Sequence, residues 1–263
     1  METVRSNDGT LIAYEKSGRG APLVLVHGTS ADHMRWAPVL QPFQDRFTVY
    51  AVDRRGRGRS GDTEPYAIEH EFEDIVAIIN SIGEPVNLLG HSYGGICALE
   101  AAARTKNLRR LILYEPPIST GADIYSATVV NTMRNLLAEG DRDGVVTTFM
   151  REVPRVPPPQ LELLRSLPAW QGRVAAAHTI LRELEVSNNG YHFEPLKFAG
   201  VTTPTLLLLG GASPDFFAAA INQVHRALPN SQIVVMPGQQ HVAMDSASDL
   251  FVKAVLDFLA EQN

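Results

Sequence analysis

A hydroxyl placed to act as a nucleophile stands at Ser92, within the run Gly90-His91-Ser92-Tyr93-Gly94. The apolar segment Val86-Asn87-Leu88-Leu89 precedes it directly, and an alanine-rich helical stretch follows. A strand that reverses into a helix within so few residues forces the serine into a strained backbone conformation and pushes its hydroxyl out of the turn. Side chains two residues to either side would collide in such a turn, and both of those positions are glycine. The pentapeptide alone recurs by chance, but the strand before it and the helix after it make it specific. Its chemistry is attack on an acyl carbon, provided that a nearby base accepts the serine proton.

Other residues able to do chemistry carry blander readings. Gly56-Arg57-Gly58-Arg59-Ser60-Gly61 formally matches a dinucleotide fingerprint, but Asp62-Thr63-Glu64-Pro65 delays the next helix that the fingerprint should open at once. Arg54, Arg55, Arg57 and Arg59 in the same loop suggest a solvated or internally paired turn over an anion site. Cys97, the single cysteine, falls on a helix of small residues and reads as buried packing. No metal site and no cofactor are expected.

Composition narrows the class of protein. With 263 residues and 44% apolar content the chain can bury a full-sized core without disulfide or metal staples. The 29 acidic against 23 basic side chains give a net charge of -6, which opposes binding to a phosphate backbone, so nucleic acid is not an expected partner. Met1-Glu2-Thr3-Val4-Arg5 lacks the apolar stretch of a secretory signal, and Leu206-Leu207-Leu208-Leu209 is far too short to cross a bilayer. A cytoplasmic setting without membrane attachment is the expectation. Oligomeric state is left open.

The elements that must position Ser92 can be read from periodicity. Asn7-Asp8-Gly9 signals a hairpin whose second strand covers Leu11 to Tyr14. Apolar runs at Leu23 to Val26, Phe47 to Val52, Val86 to Leu89, Leu111 to Tyr114, Thr205 to Leu209 and Ile233 to Met236 read as strands buried on both faces. Helical patterns between them, near Trp36 to Gln44, Ile68 to Ile82, Ile96 to Arg104, Phe216 to Leu228 and Ser248 to Leu259, would flank a mostly parallel central sheet in an α/β fold. The alternation breaks over 118–200, where helical pattern continues without strands. That segment is expected to be an inserted helical cap over a core formed by 1–117 and 201–263. Pro154 to Pro159 should end one cap helix and begin an extended link.

Through Leu23 to Ser60, Val86 to Pro117 and Thr203 to the C-terminus, the chain resembles the α/β-hydrolase superfamily, in its capped serine esterase and haloperoxidase-like branch. The resemblance implies an oxyanion hole after the pair His27-Gly28, made by the backbone N–H groups of Thr29 and Tyr93. It implies a late histidine on a loop after a strand, and His241 fits best among the eight histidines. His27 and His91 fall in the oxyanion and elbow motifs as shapers of the backbone, and His33, His70, His178, His192 and His225 read as surface or packing residues. The Asp-x-x-Gly-x-Gly-x-Ser segment from Asp53 to Ser60 becomes a structural turn.

The third group departs from the commonest family pattern, because Ser213 stands where Gly-x-x-Asp would place the acid. Two carboxylates compete. Asp215 follows at Ser213-Pro214-Asp215, a sequence that also reads as the cap and first turn of a helix. Glu115 ends the strand Leu111 to Tyr114 and is fixed by Pro116-Pro117, at the end of a strand expected to neighbour that of Ser92. Glu115 is preferred and Asp215 is kept as the alternative. Trp36 is a candidate pocket residue. Phe149, Met150 and Trp170 read foremost as packing within the cap. Together these imply a cofactor-independent serine hydrolase acting on a small or medium carboxylic ester or lactone. Perhydrolase or haloperoxidase-type chemistry, carbon-carbon bond hydrolysis and a non-catalytic ligand receptor on the same fold stay open.

Overall fold

Eight strands form one sheet in the order β1-β2-β4-β3-β5-β6-β7-β8 in the computed structural model, which describes residues 1–119, 121 and 125–261. β1 (Glu2–Arg5) and β2 (Leu11–Gly18) make the antiparallel opening hairpin, and β2 joins the rest antiparallel to β4 (Phe47–Val52). β3 (Ala21–Val26), β4, β5 (Val86–His91), β6 (Leu108–Tyr114), β7 (Thr205–Gly210) and β8 (Ser231–Met236) run parallel to one another.

Burial explains the central order. Every residue of β5 is buried, as are the last five of β6, so these strands read as continuous apolar runs. Each fully buried aliphatic side chain contributes about 1.5–3 kcal/mol. β8 departs from the expected double burial. It has a neighbour on one side only, and Val234 and Val235 are exposed.

The helices cover both faces. α1 (Ala37–Gln44), α2 (Ile68–Ile82) and α3 (Tyr93–Ala102) lie within the first half of the chain, and α9 (Asp215–Ala227), α10 (Ala243–Ser246) and α11 (Ser248–Ala260) within the last part. α2 shows why such segments are helical: Ile68, Phe72, Ile75, Ile78 and Ile79 recur on one face and are buried, while Glu69 and Glu71 favour its first turn. Gly83 ends it at φ 80°, a left-handed position that costs glycine nothing. α2 and α3 pack in one core cluster, and α1 and α11 in the cluster on the opposite face.

Between β6 and β7 the described residues contain helices and no strand. α4 (Ala127–Ala138), α5 (Arg142–Glu152), α6 (Pro158–Ser166), α7 (Ala169–Ala175) and α8 (Ile180–Glu185) bury their own apolar cluster, which includes Met133, Val146, Leu164, Trp170 and Ile180. Residues 120 and 122–124 of the expected cap lie outside the described residues. The proline-rich link is shorter than expected, because Pro158 and Pro159 open α6. An amide is not needed in a first helical turn, and proline's fixed φ suits it. No helix among the described residues is long and apolar enough to cross a membrane.

Candidate active site

The strand register assembles the site. His91 at the end of β5 sits opposite Tyr114 at the end of β6, so the next residues, Ser92 and Glu115, leave the sheet side by side. Ser92 N–H donates to Tyr114 O at 2.8 Å, and Glu115 N–H donates to Leu208 O on β7 at 3.2 Å. Both residues have positive φ, 56° for Ser92 and 46° for Glu115. Such a conformation costs a non-glycine residue on the order of 1–3 kcal/mol and persists only where the surroundings enforce it. For Ser92 the enforcement is close packing: a Cβ on Gly90 would lie 2.4 Å from Gly94 O, and one on Gly94 would lie 2.3 Å from His27 O.

Glu115 is fully buried and its carboxylate is used twice. Oε1 accepts from Gly210 N–H at the end of β7 at 2.7 Å, and Oε2 lies 2.6 Å from His241 Nδ1. The carboxylate therefore ties three consecutive segments of the carboxyl edge together. Asp215 is elsewhere: it opens α9 as an exposed residue, with Pro214 rather than Ser213 as the preceding cap.

The loop carrying His241 is held by groups around it. His91 Nε2 donates to His241 O at 2.9 Å, Tyr114 OH donates to Gln240 O, and Ala243 N–H donates to Tyr114 OH at 3.2 Å. Phe217 of α9 stacks on the His241 ring at 4.4 Å and 16°. Burial, followed by the neighbouring His241 and Arg35 charges, pushes His91 well below the ordinary histidine range, so it is a neutral donor. His27 is likewise held neutral, first by burial and then by Arg54; its Nδ1 donates to Gly28 O at 2.8 Å and its Nε2 accepts from Arg54 N–H at 3.2 Å. Ser92 and His241 line the same pocket, and no hydrogen bond joins their side chains. Such bonds are often long in unliganded sites and shorten when substrate arrives.

That pocket encloses about 500 Å³, counting its space open to solvent. Gly28, Thr29, Ser92 and His241 line it, as do Phe149, Met150 and Val153 from α5 and its end. Tyr93 is the first residue of α3, where backbone N–H groups have no intrahelical acceptor. Trp36 does not line this pocket; it is fully buried in the cluster formed with α1 and α11. Phe149 and Met150 pack in the apolar cluster of the helical segment, as expected, and also line this pocket. Trp170 keeps to the cluster of the helical segment and donates to Asp143 Oδ1 at 2.7 Å.

Two arginines in the wall had no sequence signal. Arg35, from the turn His33–Trp36, pairs with Asp245 at 2.8 Å. Arg173 of α7 is buried and donates to Ser30 O at 3.2 Å, with no carboxylate within ion-pair distance among the described residues. Burial, and then the Arg35 charge, lower it to about 10, so it remains a cation at neutral pH. Neither spacing nor composition marks these two, because what distinguishes them is the wall they share.

An open, mostly parallel sheet flanked by helices, with a strained serine turn at the carboxyl end of a central strand, is the α/β-hydrolase fold. The chain belongs to the alpha/beta hydrolase family, whose profile matches residues 23–254. It is similar to a solved alpha/beta hydrolase from Sphaerobacter thermophilus, with 36% identity, a TM-score of 0.83, and coverage of 98% of this chain and 100% of that one. An esterase from Rhodococcus has a similar fold at 23% identity and a TM-score of 0.82, covering 100% of this chain and 99% of its own. Among curated proteins, the 2-(acetamidomethylene)succinate hydrolase of Mesorhizobium japonicum is 26% identical over 268 residues, which span 95% of this chain and 91% of that protein.

Proposed function

We propose that this protein is a cofactor-independent serine hydrolase that cleaves a small or medium carboxylic ester or lactone through an acyl-enzyme. The observation that carries the reading is the 2.6 Å contact between His241 Nδ1 and the buried Glu115 carboxylate, at the wall of the pocket that Ser92 enters from a strained turn. Glu115 fixes the imidazole with a proton on Nδ1 and leaves Nε2 to accept the Ser92 proton. Ser92 Oγ attacks the acyl carbon, and the charge that develops on the carbonyl oxygen falls to the N–H groups of Thr29 and Tyr93. The imidazolium, stabilised by Glu115, returns its proton to the leaving alkoxide. Water then attacks the ester on Ser92, with His241 again as base, and releases the acid.

The apolar side chains Phe149, Met150 and Val153 in the lining suit a small or medium acyl chain, and the helical segment that carries them acts as the cap that selects it. Hydrolysis of short-chain esters by the purified protein, followed by pH-stat titration, tests the reading. Turnover by the wild-type protein that falls to background in Ser92→Ala supports it. Turnover unchanged in Ser92→Ala, or none with any short ester or lactone, overturns it.

A further inference from the structure

We infer that Arg173, flanked by Arg35, recognises a free carboxylate on the substrate, so that the preferred esters or lactones carry a second, anionic carboxyl group. The inference deepens the proposed function and rests on it. Its origin is a buried charge with no carboxylate in ion-pair contact among the described residues. Arg173 is 6% exposed, and its one hydrogen bond in the described structure goes to a neutral acceptor, Ser30 O. A buried cation is costly unless it is paired.

The acids near Arg173 have other roles. Asp245 is engaged by Arg35 at 2.8 Å, and Asp32 accepts from Met34 N–H at 2.9 Å. Burial raises the Asp32 carboxyl and the Arg173 charge acts against that rise, but no ion-pair contact joins the two side chains. Arg35 and Arg173 both line the pocket that Ser92 and His241 line. A guanidinium presents a planar fork that matches a carboxylate, and in a dry wall such a pair is strong and geometrically selective. The carboxylate of the substrate would complete the ion pair, and the energy released would orient the scissile carbonyl toward Ser92.

Two measurements test this separately from the hydrolase reading. The first compares monoethyl glutarate with ethyl valerate in wild-type protein and in Arg173→Met. The expected result is a higher kcat/KM for the monoester in the wild type, and a fall of that preference by roughly ten- to a hundredfold in the variant. An equal proportional loss on both esters would assign Arg173 to the reacting centre and overturn the proposal, as would a wild-type preference for the neutral ester. The second measures glutarate binding to Ser92→Ala by calorimetry, which needs no turnover. Saturable binding that weakens at least about tenfold when Arg173→Met is added supports the carboxylate site. Absence of binding, or binding indifferent to the added substitution, sinks it even if the protein proves to be an esterase.

Discussion

Two of the regions that bury arginine in this molecule do so under contrasting conditions. In the turn after β4, Arg54, Arg55 and Arg57 are all buried and all paired. Arg54 makes a bidentate contact with Glu71 at 2.8 and 2.9 Å and reaches Glu183 at 2.5 Å. Arg55 grips Asp74 at 2.8 and 2.7 Å and also contacts Asp8 at 2.9 Å. Arg57 contacts Glu71 at 3.2 Å and Glu183 as well. In the pocket wall Arg173 is equally buried and has no such partner. Arginines in contact with carboxylates hold structure, and a buried arginine without such a contact in a pocket wall is available to a ligand.

The paired region also links distant parts of the chain. Glu71 belongs to α2 and Glu183 to α8, so the arginine turn fastens the helical segment to the sheet. Tyr66 OH donates to Glu71 at 2.8 Å and lies 2.9 Å from Tyr93 OH, and Arg54 stacks over the Tyr93 ring at 4.6 Å. The residue next to Ser92 is thus clamped by the same network. A third acid, Glu115, is paired with His241 and serves chemistry in the proposed mechanism.

Removing partners should separate these cases. The largest effect is expected for Glu115→Gln, which leaves the fold intact but disturbs the imidazole tautomer; kcat should fall about 10⁴-fold by steady-state assay. Retention of near wild-type kcat would move the acid elsewhere. Next comes Glu183→Ala, which leaves the buried charges of Arg54 and Arg57 to share Glu71 alone and should cost about 3–5 kcal/mol in urea unfolding. A loss under about 1 kcal/mol would mean that the two arginines are satisfied without Glu183.

Acid should loosen the same network. Burial alone would raise the Glu71 carboxyl, but Arg54 and Arg57 outweigh it and hold the group at about 2, against an ordinary 4.5. The unfolded chain therefore binds that proton first, and the contribution of ionised Glu71 is complete above about 4.5 and is lost as pH falls toward about 2. Glu71→Gln should flatten the wild-type decline in unfolding free energy across this interval. An identical slope in both proteins would assign acid sensitivity to other groups.

The smaller effects complete the contrast. Arg173→Met should leave the thermal midpoint at or above that of the wild type, since it removes a buried charge with no carboxylate in ion-pair contact among the described residues. A large drop in the midpoint would show Arg173 to be structural. Asp215→Asn, at the exposed start of α9, should keep kcat within about twofold and change stability by at most about 1 kcal/mol. Loss of most activity would restore Asp215 as the acid.

What could be read from the sequence was what short-range pattern determines. The parallel strands announce themselves as apolar runs, and the elbow announces itself because its strain needs Gly90 and Gly94 within four residues of each other. The position of Glu115 beside His241 depends on which strands are neighbours, since its carboxylate is fixed by Gly210 on β7, and a linear sequence does not display that register. β8 looked buried because its composition is apolar, whereas exposure of Val234 and Val235 follows from its place at the sheet edge. Trp36 stands close in sequence to the oxyanion loop, yet the turn His33–Trp36 directs its ring into the core. The charge state of the arginines was least visible. Arg54 and Arg173 look alike as letters, and only the partners supplied by α2 and α8 make one structural and leave the other available.

The most direct test of the account is covalent labelling with a serine-directed fluorophosphonate, read by mass spectrometry of proteolytic fragments. One phosphonyl group on the peptide containing Ser92, with a labelling rate that collapses in His241→Ala and in Glu115→Gln, is the result expected. Modification at another residue, or labelling of Ser92 at an undiminished rate in both variants, would contradict the assignment of Ser92 as a nucleophile activated by His241 and Glu115.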